Sequence, residues 1–582
     1  MKRRNLIGTA LVGAALTFTA ACGGGGTGGS ATSGYGSAIT SVVNASDATG
    51  GTLNYGLTSA PDSTDPGNFY YAFMWDFSRL YASPLLSYKP VPGKAGLQLV
   101  PDLATGLGQV GDNGLTWTYH LKPGLTYQDG SPITSKDVKY AVERSNYSSV
   151  LTNGPQYFHL YLSDPTYPGP YGSGDTTPDK QGLTSITTPD DLTIVFHLRR
   201  PFADFDYLAT LPQTAPVPIA HDTGAKYAFQ PWSSGPYQFK SYDPTRGFTL
   251  VKNTNWKQSS DPFVKQTVDT INVSYNQSAA DLDSRVLSGS FDLDLRGAGV
   301  QTAARAKILR NPTLKSNADA PLSGFLYYFP IDTQVVPNID CRKAIEYAVD
   351  KTVEQNAYGG PIVGGDIAST LLPPSVVGYQ KFDEYEATTQ PHGDIAKAKA
   401  ELKKCGKPDG FSVNVATRSD QPQEVAAATG IQQSLAKVGI KADILPYPSG
   451  TYTNTYVGSP TYMQQHDIGL AGYSWGADWP DGFGFLSQIV DGRAIRSAGN
   501  SNVEMVNDPQ VNSLLDQATT LSDANARASI YSQIDKLMLD QATVVPAVYS
   551  RSLLYRNPDL TNVFVTQAYG MYDYTQIGKS KP

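Results

Sequence analysis

Residues 411–445 read as strand, helix, strand, and that order constrains the fold more than any other feature of the chain. Phe411-Ser412-Val413-Asn414-Val415 carries the β-forming alternation of a strand, and Gln423 to Val438 places apolar residues at helical spacing. Lys441-Ala442-Asp443-Ile444-Leu445 then returns to a strand pattern. Two strands joined by a crossover helix pair in parallel, since a tight hairpin joins only antiparallel strands. The unit therefore predicts lobes of α/β class.

The rest of the chain mixes strands and helices in the same way. Leu115 to Leu121 and Leu192 to Leu198 alternate as half-buried strands, with Asp112-Asn113-Gly114 as the turn before the first. His120 and His197 fall inside these alternations and read as strand positions, not catalytic groups. Ser135 to Glu143 starts a helix for which Ser135 is the expected N-cap. Helical spacing recurs at Cys341 to Val353, Asp394 to Lys404 and Ala524 to Asp540. The Pro/Gly-rich stretch from Asp164 to Gly182 is expected as an exposed loop whose aspartates lack EF-hand spacing. No repeat of solenoid or propeller period is visible.

At 582 residues the chain has room for several lobes, and 40% hydrophobic against 17% charged residues excludes a highly charged disordered protein. The net charge of −7 supplies no basic field for a phosphate backbone, so nucleic acid is not an expected partner. Thirty-six tyrosines suit wet, concave binding surfaces as well as strands.

The beginning of the chain indicates where it works. Met1-Lys2-Arg3-Arg4 followed by the apolar run Leu6 to Ala21 has the layout of an export signal (residues 1–21). Arg3-Arg4 also fits a twin-arginine signal, so the export route stays open. Thr19-Ala20-Ala21-Cys22 resembles a bacterial lipobox, in which the Cys22 thiol takes a diacylglyceryl group; Thr19 stands where leucine is usual. Residues 22–51 are rich in Gly, Ser, Thr and Ala and are expected to be a flexible lipidated tether, with a reach of roughly 30 Å. The expected location is therefore the outer face of the cytoplasmic membrane, with a lipid anchor at Cys22 holding a soluble body. The two remaining cysteines, Cys341 and Cys405, read as a disulfide in an exported chain, with two separately buried thiols as the alternative.

Several motifs are rejected on context. Gly106-Leu107-Gly108-Gln109-Val110-Gly111 matches a dinucleotide fingerprint but lacks the preceding strand and following helix that aim amides at a pyrophosphate. Ser434-Leu435-Ala436-Lys437 sits in a helix without the partners of a penicillin-binding enzyme. No Walker A, C-x-x-C or H-E-x-x-H occurs, and no enzyme, metal or cofactor is expected.

An ordered set of landmarks resembles the family 5 extracellular solute-binding proteins, the peptide and oligopeptide receptors of ABC importers. The set begins at Pro101-Asp102-Leu103-Ala104, runs through Asn113 to Gly124, and continues from Tyr127 to Val138. It goes on with Ser234-Gly235-Pro236-Tyr237, Asn253 to Trp256, Arg285 to Gly289, Arg342 to Ile345, Ala348 to Lys351 and Ala477-Asp478-Trp479. The resemblance covers nearly all of residues 50–582 and implies a two-lobed, periplasmic-binding-protein-like Venus flytrap with an extra subdomain inserted in lobe I. On that likeness lobe I comprises residues 52–93, 216–325 and 546–582, the inserted subdomain 94–215, and lobe II 326–545, with hinge strands near Tyr327 to Ile331 and Val544 to Tyr549. It also implies a monomer that captures peptides, performs no chemistry on them, and delivers them to a permease driven by cytoplasmic ATPase subunits. An oligosaccharide or metal chelate is the alternative cargo within the family, and an exported hydrolase is the alternative outside it.

The expected cleft residues follow from composition and likeness together. Tyr473 to Asp481 packs aromatics, glycine and carboxylates into one Pro/Gly-punctuated loop. In similar peptide receptors the aspartate at the place of Asp478 pairs with the ligand's ammonium, so Asp478 is the expected anchor. Trp475 and Trp479 are expected as walls, and Gly476 as a point where the ligand backbone approaches. Arg418, between a strand and a helix, matches the arginine that holds the ligand's C-terminal carboxylate in dipeptide receptors; its fork suits that group. Ser63, in Ser63-Thr64-Asp65-Pro66, resembles the family's early cleft turn. Asp481-Gly482 departs from the Asp-Pro usual there.

Overall fold

A computed structural model describes residues 34–580. The expected export signal, Cys22 and the first part of the expected tether lie outside the described residues.

The βαβ unit forms as a parallel pair. Ser412–Arg418 runs alongside Lys441–Tyr447 in unbroken register, and Ile468–Ala471 joins the other side of Ser412–Arg418, also in parallel. Helix Pro422–Ala436 starts with proline in its first turn and buries Ala427, Ala428, Ile431 and Leu435 against this sheet. Helices Ile339–Ala348 and Ile395–Lys404 pack on the same core, and the Cys341–Cys405 disulfide joins them, with Cα atoms 5.3 Å apart.

Two further sheets lie in the first half of the chain. Thr52–Gly56 pairs in parallel with Thr270–Ser274 and Leu293–Asp294, and Gly247–Lys252 and Tyr237–Asp243 extend that sheet in antiparallel fashion. Gln109–Gly111, Thr116–His120, Thr193–His197 and Ile186–Asp190 form a separate antiparallel sheet, in which Trp117 faces Phe196 and Tyr119 faces Ile194 across the buried side. His120 and His197 point to the opposite, half-buried side, as period-two alternation requires. The three sheets build a first lobe, an insert and a second lobe.

A fourth sheet connects the lobes. Its central strands are Leu322–Pro330 and Val544–Arg551, the segments expected to carry the hinge, paired antiparallel from Leu322–Arg551 to Pro330–Val544. Asp366–Ile367 flanks one side and Tyr473–Gly476 forms the other edge.

Three expectations need correction. The tether does not extend to residue 51: Ser37–Thr40 is a helix with Ala38 fully buried, its N–H donating to Asp319 Oδ1 at 3.0 Å. Val43 is buried and bridges Val563, and the N–H of Ser46 donates to Asn562 Oδ1 at 2.8 Å. Average polarity hid the point that a segment needs no core of its own when a lobe supplies both the apolar hollow and the hydrogen-bond partners. The cap of helix Ser135–Asn146 is Thr134, in a capping box with Asp137, while the Ser135 hydroxyl donates to the carbonyl of Asp190 at 2.6 Å. The 164–182 loop has no regular structure, yet it folds over a buried Asp175 that accepts from Tyr167 Oη and from the N–H groups of Thr177 and Gly182. Among the described residues no cluster of three or more metal-ligating side chains occurs, and no helix is long and apolar enough to cross a membrane.

Candidate ligand-binding cleft

The site grows from the edge strand of the hinge sheet. Phe325, Leu326 and Tyr327 pair with Gly476, Trp475 and Ser474, and no strand of that sheet lies on the other side of Tyr473–Gly476. An antiparallel edge leaves alternate N–H and C=O groups pointing outward, so this strand is a template for an extended chain. The chain then turns through Ala477 to Pro480, and Asp481 caps helix Gly482–Leu486 by accepting from the N–H of Phe483 at 3.0 Å. Gly482 is required there, because a Cβ would sit 2.3 Å from the Tyr531 ring.

Between this loop and the first lobe lies a cavity of about 150 Å³, walled by Tyr70, Trp75, Phe325 and Tyr569 and reached by Gly476 and Asp478. Tyr70 and Trp75 stack at 5.6 Å with planes 14° apart. Tyr70 and Phe325 are each 44% exposed, large aromatic surfaces left uncovered at the rim. Phe325 lies across Gly476, whose missing Cβ would stand 3.0 Å from the ring. Tyr569 tips the hairpin made by Val565–Thr566 and Met571–Tyr572.

Asp478 gives the cavity its charge. Its carboxylate accepts from the hydroxyl of Tyr157, and Tyr70 Oη stands 3.5 Å from that hydroxyl. Burial pushes the Asp478 pKa up to about 6, and the tyrosine hydroxyls pull only partly against it. Among the described residues no arginine or lysine lines the cavity. Arg79, beneath the Tyr569 ring at 5.1 Å, is held by Asp76 and by Asp573 at 3.1 Å. A carboxylate held by neutral donors and facing an aromatic hollow suits a ligand cation.

The other expected site residues are placed elsewhere. Trp479 is not a cleft wall: only 2% exposed, it packs edge-on against Tyr157 at 5.1 Å and lies parallel to Tyr207 at 6.3 Å. Trp475 does not line the cavity either; its Nε1–H donates to the carbonyl of Phe485 at 2.8 Å and pins the return of the loop. Arg418 does not line the cavity; its Nε bonds Glu424 Oε2 at 2.6 Å and its guanidinium lies 5.8 Å from the Tyr452 ring. Ser63 is buried away from the cavity, where its Oγ accepts from the N–H of Asp65. Asp65 in turn takes both terminal nitrogens of Arg144, each at 2.9 Å, so this turn clamps the insert to the first lobe. Tyr70, Trp75, Tyr157, Phe325 and Tyr569 were missed. Tyr70 and Trp75 had a signal in the aromatic run 69–75; Tyr157 and Tyr569 had none beyond tyrosine abundance.

A two-lobed α/β body joined by a hinge sheet, with an acidic, aromatic cavity between the lobes, is the architecture of the periplasmic-binding-protein fold. The sequence pattern of the bacterial extracellular solute-binding proteins, family 5, matches residues 98–496, and the chain belongs to that family. Its fold is similar to that of clavulanic acid biosynthesis oligopeptide binding protein 2, with a TM-score of 0.90 and 38% identity over 94% of this chain and 99% of that one. It is 25% identical to heme-binding protein A of Haemophilus influenzae, covering 78% of this chain and 80% of the relative. It is 23% identical to the glutathione-binding protein GsiB of Salmonella paratyphi A, covering 78% and 82%.

Proposed function

We propose that the protein captures peptides with a free N-terminal ammonium between its lobes and delivers them to an ABC permease with cytoplasmic ATPase subunits, acting as a monomer tethered outside the cytoplasmic membrane by a lipid on Cys22. The observation that carries this reading is Asp478, a carboxylate on the cavity wall with tyrosine hydroxyls for partners and no lining cation. The outward edge of Tyr473–Gly476 supports an extended peptide over a sugar or a flat macrocycle, since it offers main-chain partners in strand spacing. Similarity to an oligopeptide binding protein and to a glutathione-binding protein points the same way. The closing bodies are lobe I (52–93, 216–325 and 546–582) with its insert (94–215), and lobe II (326–545). Arg418 is left out of the ligand set.

Calorimetry with tri-alanine and N-acetyl-tri-alanine tests the reading. Binding of the first and at least tenfold weaker binding of the second are expected. Equal affinity for both would refute ammonium recognition, and a heme or sugar found by mass spectrometry on the purified protein would replace the peptide.

A further inference from the structure

Behind the binding loop, the insert meets the second lobe along a seam where an ion pair lies beside the aromatic packing of Phe202, Trp479 and Phe483, and the capture reading does not use it. Asp204 stands at the start of helix Phe205–Leu208 and is 2% exposed. Its Oδ1 lies 3.3 Å from Nε of Arg527, and its Oδ2 accepts from Trp479 Nε1–H at 3.4 Å. Arg527 is fixed from its own side, donating from Nη1 to the carbonyls of Leu521 at 2.9 Å and Ser522 at 3.1 Å. One backbone bond accompanies the pair, from the N–H of Ala203 to the carbonyl of Thr519 at 2.8 Å, and Phe202 packs on Phe483 at 5.4 Å. Asp481, the cap of the helix after the binding loop, faces the same Asp204.

Two features make this a contact that opens. The seam is flanked by a cavity of about 630 Å³ lined from both bodies, by Phe202 and Asp206 on one side and Thr519 and Arg527 on the other, where a permanent boundary would be filled. Arg527 also rides on helix Ala524–Asp540, which runs into hinge strand Val544–Arg551, so rotation about the hinge carries the guanidinium away from Asp204. Trp479, gripped by Asp204, is the chain neighbour of Asp478, so the same contact sets where the binding carboxylate stands.

We infer that Asp204 and Arg527 form a latch that holds the binding loop of the second lobe against the insert, and that this contact breaks each time the cleft exchanges ligand. Neither residue touches ligand; both are positioning residues. The inference deepens the capture reading and rests on it only for the identity of the cargo.

The test uses the ligand-free protein first. Small-angle scattering of Arg527→Gln, which keeps most of the side-chain volume, should show a radius of gyration about 1 Å larger than wild type. Adding Ala203→Cys and Thr519→Cys to the same variant and oxidising should restore the wild-type value, and reduction should release it. Asp204→Asn reports on the latch from the other partner should Arg527→Gln fail to fold by circular dichroism. An unchanged radius in the folded variant, or a stapled variant that stays expanded, overturns the latch. In the second arm the staple is placed in the otherwise wild-type chain and challenged with fluorescent tri-alanine. Blocked uptake when oxidised and normal uptake when reduced support the latch, whereas equal uptake in both states overturns it. Absence of tri-alanine binding even when reduced counts against peptide capture, and the scattering arm still decides the latch.

Discussion

Replacing Asp478 with asparagine separates the charge of the cleft from its shape. With a pKa of about 6, the carboxylate is roughly nine-tenths ionised at pH 7 and roughly one-tenth ionised at pH 5. A peptide α-ammonium, with a pKa near ~7.7–8.0, stays protonated through that range. Affinity of the wild type should therefore fall about tenfold from pH 7 to pH 5, ~1.4 kcal/mol. A charge-assisted hydrogen bond is worth ~1.5–3 kcal/mol, so Asp478→Asn should weaken tri-alanine by about 10- to 100-fold at pH 7 and abolish the pH dependence. Stability moves the other way. A carboxyl whose pKa is raised by folding favours the fold fully below its unfolded value, and that contribution is lost as pH rises through about 6. Asparagine removes the ionisation, so the ligand-free variant should be more stable than wild type at pH 7 by on the order of 1 kcal/mol, a figure reduced because the cavity wets the group. Calorimetry at pH 5, 6 and 7, with thermal unfolding alongside, reads all three effects. Affinity within threefold of wild type, or wild-type binding that is flat from pH 5 to 7, would refute the placement of the ammonium on Asp478.

Arg418→Met should strand the buried carboxylate of Glu424 and cost ~3–5 kcal/mol in chemical unfolding. Wild type should bind tri-alanine and its C-terminal amide within threefold of each other, since no cation lines the cavity; a much weaker amide would restore a ligand role to Arg418. Reducing the Cys341–Cys405 bond, or changing both residues to serine, should lower stability by ~4 kcal/mol for a loop of 64 residues. Peptide affinity should be unchanged, and a tenfold loss would show that the disulfide shapes the cleft. Gly476→Ala should push the Phe325 ring from its 3.0 Å approach into the cavity and weaken binding several-fold at a stability cost on the order of 1 kcal/mol; unchanged affinity would mean that the ring has room to move elsewhere.

What was legible in the sequence is what neighbouring residues decide. The alternations at Ser412–Arg418 and Thr116–His120 each fix a strand, because the pleat puts every second side chain on one face and the core selects for it. The parallel pairing followed from the length of the crossover, and the disulfide from export and an even cysteine pair. The docking of residues 34–49 was not legible, since Ala38 and Val43 gain their buried places from Asp319 and Val563, hundreds of positions away. The Arg418–Glu424 pair spans only six residues, from a strand end to the first turn of the next helix. It was readable in principle, and the likeness to carboxylate-binding arginines drew attention from it.

The loop 473–481 shows where such reading stops. Composition marked it as a site, and it does reach the cavity, yet identical residue types within it take different partners. Trp475 and Trp479 turn from the cavity, the first to bond Phe485 and the second into a pocket made by Tyr157, Phe202 and Tyr207 of the insert. Asp478 is half-buried and meets tyrosine hydroxyls at the cavity, while Asp481 is buried and caps a helix beside Asp204. The places of Asp478 and Trp479 are set by Tyr157 and Asp204, 321 and 275 positions away in the chain, which leave no periodicity for a local pattern to register. The same dependence gives the loop its use. On the proposed lobe boundaries, Asp478 is carried by the second lobe and its partner Tyr157 by the insert, so the capture reading requires ligand charge and lobe closure to be coupled through one side chain.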